Sequence, residues 1–140
     1  MTHTDMPKLV LRAVLVWIGI IGIETVHGIL RTVLLVPVIG DFPARQVSVV
    51  TGSALIFGVA FLFIRWIRAG TNRRLLGVGL LWVVLTVLFE AGLGWLVLGL
   101  SWDRIIEDYD ITRGGVLGLG LLFMAIAPLL AAKIRKPLIR

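Results

Sequence analysis

Four apolar runs, each close to or above the ~20 residues that carry a helix across a bilayer, govern what this chain can fold into. They cover residues 9–36, 47–64, 75–100 and 114–132. In hydrocarbon every backbone N–H and C=O must find its partner inside the protein, which for runs of this length leaves helices. The expected fold is therefore all-α, an integral membrane four-helix bundle forming one domain over residues 1–140. Composition agrees. Of 140 residues, 59% are hydrophobic and 16% charged, and the mean hydropathy is +1.03, more apolar than a soluble domain of this length. The first run is too long for a signal-peptide core and has no small-residue cleavage site, so it reads as a retained span. The absence of cysteine excludes disulfides, thiolate metal sites and cysteine nucleophiles. Pro37 is expected to end the first span, with a turn at Gly40, Asp41 and Pro43. Gly70, Thr71 and Asn72 mark the turn between spans two and three.

The basic residues sort onto one side of such a bundle. All 14 Lys and Arg except Arg31, Arg45, Arg104 and Arg113 fall at the start, in the middle loop or at the end of the chain. The positive-inside rule then predicts a multi-pass protein, assigned to the plasma membrane, with both termini cytoplasmic. The net charge of +6 is accounted for by orientation and contact with anionic lipid, so no nucleic-acid partner is expected. In the second outer loop Ser101 can cap a helix. Trp102, Ile105, Ile106 and Tyr109 follow the spacing of one apolar face, opposite Asp103, Arg104, Glu107, Asp108 and Asp110. This predicts a short amphipathic interfacial helix, with a lid over an underlying site as the other reading.

Glu24 and Glu90 each lie fifteen residues after the first apolar residue of their run, Leu9 and Leu75. That is ~22 Å along each helix, at membrane depth. A carboxylate there is costly and marks a functional site by default. A shift of 66 residues also superposes Gly28 on Gly94, Gly52 on Gly118 and Phe57 on Phe123. It suggests two parallel two-helix repeats, although a chain rich in Leu, Val and Gly also matches itself by composition alone.

Glu24, His27, Gly28 and Arg31 share one helical face, and Thr86, Glu90 and Gly94 share another. Two nearby carboxylates in low dielectric do not both ionise easily, so the pair can exchange a proton for a cation, with His27 as relay. The expected site has Glu24, His27 and Glu90 as its chemical groups. Arg31, Arg45, Thr86, Trp102, Asp108 and Tyr109 would contact the ligand. Glu24-x-x-His27 also matches half of a di-iron motif, but Leu93 stands where the second histidine would be. No metal or other cofactor is assigned. An enzyme of the outer leaflet would use Glu24 or His27 as base and Arg31 or Arg45 to hold an anionic group. A structural subunit would pair Glu24 with Arg31 or Arg45, and Glu90 with Arg113, as glue between helices. The small multidrug exporters share the four-span size and an essential Glu in span one. This chain departs from them in its longer spans and loops and in the second Glu, so no residue roles carry over. The favoured expectation is an outward-facing polar pocket for proton-coupled transport or binding of a small solute. The bilayer, a small-molecule or lipidic ligand and a homo-oligomeric partner are the expected associations. A membrane-embedded enzyme acting on an amphiphilic substrate comes next, then the structural subunit.

Overall fold

The computed structural model describes residues 6–107, 109, 110 and 117–139. These residues are helical apart from short connections. Helix α1 (Met6–Leu30) runs without interruption into a π-helical turn, Arg31–Leu35, and then a single α turn, α2 (Val36–Ile39). Helix α3 spans Asp41–Ile67 and α4 spans Asn72–Gly92, which continues into a second π turn, Leu93–Val97. A short α5 (Trp102–Glu107) precedes α6 (Leu117–Ile139). Four of the resulting segments, Met6–Ile39, Asp41–Ile67, Asn72–Val97 and Leu117–Arg135, are long and apolar enough to cross a membrane.

The first span is longer than expected because Pro37 does not end it. A proline in an α-helix collides with the carbonyl four residues back and lacks an N–H for it. Here the π turn opens the helix just before Pro37, and Val36 N–H bonds to the Arg31 carbonyl, five residues back. The break comes at Gly40, whose φ of 90° is open to glycine. Asp41 and Pro43 already belong to the first turn of α3. The middle turn lies where expected: Arg68 adopts the left-handed conformation, and the Thr71 hydroxyl accepts from Arg74 N–H at 3.2 Å. Ser101 likewise accepts from Arg104 N–H at 3.2 Å, so α5 begins at its predicted cap.

The helices form a ring in the order α1, α3, α6, α4, with α3–α6 and α4–α6 the broadest interfaces and α1–α4 the thinnest. At the end holding the α3–α4 turn, packing is close. Trp82 is fully buried and its indole N–H donates to the Ala13 carbonyl at 2.9 Å, tying α4 to α1. A side chain at Gly79 would strike the backbone of Ala125, so α4 and α6 meet there without intervening side chains. Arg12 donates to the Trp66 carbonyl at 3.2 Å and Arg135 to the Phe61 carbonyl at 2.6 Å. Arg12 thus satisfies a carbonyl in the last turn of α3, where the helix dipole favours a cation, and Arg135 ties α6 to α3 about a turn earlier. Pro128 is buried inside α6, which continues through it.

Candidate functional site

Above this packed layer the helices enclose a cavity of about 630 Å³. Its charged and titratable lining comes from five places: Glu24, His27 and Arg31 on the first span, Asp41 and Arg45 on α3, Glu90 on α4, Arg104 on α5, and Tyr109 after it. The floor is apolar, with Ile21, Ile56, Phe89, Leu121 and Met124. Thr86 closes the bottom. It is buried, accepts from Trp17 N–H at 3.0 Å and donates to Met124 Sδ at 3.4 Å. Its hydroxyl therefore joins three helices at the foot of the cavity, with one lone pair left over. Trp17 also meets Phe89 edge to face, with centroids 6.3 Å apart.

Glu24 and Glu90 line this one cavity but are not equivalent. Glu24 is half-buried and rests against α3 at Gly52, where an added Cβ would lie 3.1 Å from both carboxylate oxygens. Glu90 is exposed. Gly118, matched to Gly52 by the 66-residue shift, faces the Tyr109 carbonyl instead of a carboxylate. The side-chain packing of the two halves thus differs at the acidic groups themselves.

The best-connected group is His27. Its Nδ1 lies 3.4 Å from Glu24 Oε2, and its Nε2 lies 2.6 Å from Thr51 Oγ1. Thr51 Oγ1 can also donate to the carbonyls of Val47 and Ser48, both at 3.4 Å. The hydroxyl has one proton, so its choice sets the imidazole tautomer. When Thr51 donates to Nε2, the Nδ1 proton faces an ionised Glu24. When Thr51 donates to its own helix, Nε2–H points to Thr51 and Nδ1 offers a lone pair to a protonated Glu24. A hydroxyl, an imidazole and a carboxyl are thus linked so that the position of one proton decides the position of the next. Thr51 is a participant that the candidate residues read from the sequence do not include. Its signal is its position on the antiparallel neighbour, level with Glu24.

The arginines divide. Arg45 pairs with Asp41 at 3.1 Å within α3. Arg31 lies back over Gly28, its Nη2 3.9 Å from the place of a Cβ there. Neither Arg31 nor Arg45 pairs with Glu24 among the described residues, and Glu24 meets His27 instead. Arg113, the candidate partner of Glu90, and Asp108 lie outside the described residues. Within α5 only Ile105 of the predicted apolar face is buried, against Gly94. Trp102 is exposed and packs on Trp95 with centroids 5.5 Å apart, outside the cavity lining. Among the described residues no three His, Asp or Glu side chains converge as metal ligands. Comparison with protein families, with characterised proteins and with solved structures finds no match to this chain.

Proposed function

We propose that this chain is a multi-pass plasma-membrane protein that binds or transports a small solute in an outward-facing pocket, with protonation of the Glu24–Glu90 pair as the coupling step. The observation that carries the reading is that both carboxylates line one cavity with His27 in contact with Glu24. In a low-dielectric space a cationic ligand group and a proton compete for such a pair. Exchange of one for the other is the elementary step of proton-coupled binding. The Thr51–His27–Glu24 chain supplies a route for the proton. The distribution of Lys and Arg supports cytoplasmic termini and a cavity that opens to the outside.

A hydrophobic carbodiimide tests this directly, because it adds to protonated carboxylic acids in apolar surroundings. Labelling of Glu24 or Glu90, located by mass spectrometry, should fall as pH rises, and Glu24→Gln should remove its own adduct. If neither residue reacts at any pH while the protein stays folded, the proton-carrying role is lost.

A second reading rests on the order hydroxyl, imidazole, carboxylate at Thr51, His27 and Glu24, which is that of acyl-transfer triads. His27 also borders an apolar surface groove formed by Gly19, Gly22, Val26 and Leu55. In this reading Thr51 Oγ1 attacks an ester carbonyl of an amphiphile, His27 takes its proton, and the alcohol leaves with that proton. A fluorophosphonate should then label Thr51, and an unlabelled Thr51 would remove the triad reading.

A further inference from the structure

We infer that the cavity recognises a small zwitterion, with its anionic group on Arg31 and its ammonium group between Glu24 and Glu90. This deepens the proposed transport or binding reading and rests on it. Arg31 lies seven residues, ~10 Å, beyond Glu24 on the same helix. An arginine near the end of a spanning helix lowers its cost by reaching out to the headgroups. Arg31 turns the other way, back across Gly28 and along the cavity wall. Its Nε is buried with no hydrogen-bond partner, and among the described residues no carboxylate lies within ion-pair distance of it. The neighbouring Arg45 already has Asp41. A carboxylate or phosphate on the ligand is the group that Arg31 fits, since its planar fork binds either in a bidentate manner.

The opposite requirement lies deeper. Glu24 Oε1 is buried and receives no hydrogen bond, while Oε2 faces His27. Glu90 borders the same space. An ammonium group brings three donors to two acidic side chains and takes the place of the proton they would otherwise hold. Arg31 and the acidic pair thus present opposite charges at two levels of one cavity. Phosphoethanolamine or an amino acid carries an ammonium and an anionic group that match the two levels. The cavity volume of about 630 Å³ falls within the ~300–1,000 Å³ of small-ligand sites, and its apolar floor admits a short hydrocarbon part. A lipid headgroup and a free solute share this chemistry.

Titration calorimetry on the purified full-length protein in detergent separates these sources. The probes are phosphoethanolamine, dihexanoyl-phosphatidylethanolamine, inorganic phosphate and ethanolamine. At least one zwitterion should bind about tenfold or more tightly than either single-charge probe, and Arg31→Gln should remove that advantage. Gly28→Val tests the same seat while keeping the charge, and circular dichroism with gel filtration confirms that both variants fold. Tighter binding of phosphoethanolamine assigns a free solute, and tighter binding of the short-chain lipid assigns a headgroup. The zwitterion assignment is overturned if phosphate or ethanolamine binds as tightly as the zwitterions. It is equally overturned if none of the four binds to folded protein, or if folded Arg31→Gln binds like the parent. The two layers fail separately. Zwitterion binding that releases no proton, measured in buffers of different ionisation enthalpy, would remove the coupling and keep the ligand class. Carbodiimide labelling that falls with pH in a protein that binds no zwitterion would do the reverse.

Discussion

The two ends of this bundle use the same four helices to opposite effect. At the end holding the α3–α4 turn, polar side chains reach backbone carbonyls of neighbouring helices, as Trp82, Arg12 and Arg135 do, and Gly79 brings two backbones together. At the other end both π turns occur and a cavity lies between the helices, with Glu24, His27, Arg31 and Glu90 on its wall. The contrast teaches that close packing and charge are divided by depth: one end holds the helices together, and the other presents charged side chains to a cavity.

Substitutions can break or sharpen this division. The largest effect is expected for Trp82→Ala, which empties a fully buried site and removes the indole N–H bond to the Ala13 carbonyl. A loss of about 3–5 kcal/mol in unfolding experiments in detergent is expected. Gly79→Ala should follow with about 1–3 kcal/mol, because the α4–α6 backbones must separate. At the other end, Gly52→Ala pushes on the movable Glu24 carboxylate rather than on backbone, so stability should change by under about 1 kcal/mol. The pH dependence of carbodiimide labelling at Glu24 should move all the same. Smallest is Gly22→Ala, where an added Cβ meets no atom within 4 Å. It should be neutral or stabilising by up to about 1 kcal/mol through helix propensity. Should Gly79→Ala prove as harmless as Gly22→Ala, the close-packed end loses its distinction from the open one.

Much of the fold was legible because lipid solvation leaves few alternatives. Four apolar runs imply four helices, and Ser101, Thr71 and Gly70 mark their local boundaries through short-range chemistry. Pro37 was misleading because proline normally stops a helix, while π geometry depends on carbonyl positions that no pattern of residue types encodes. At the site, spacing put Glu24, His27 and Arg31 on one helical face and Glu90 on α4, and all four line the cavity. Contacts across helices were not. Glu24 against Gly52, His27 against Thr51 and Trp17 against Thr86 depend on helix rotation, which spacing within one helix leaves open. Thr86 was placed from its face alone, which could not show that Trp17 and Met124 share its hydroxyl at the cavity floor.

The π turn at Arg31–Leu35 holds one residue more than an ordinary helix would place over the same hydrogen-bonded loop. Deleting Val33 or Leu34 would remove that extra residue and return the segment to regular pitch, leaving the helix beyond it pointing much as it does now. Glu24, His27 and Arg31 would keep their places, and so would the bend at Gly40 and the entry of α3, but Pro37 would then face the carbonyl four residues back in a regular helix. A homologue shorter by that single residue could keep the same doorway only with another residue in place of that proline.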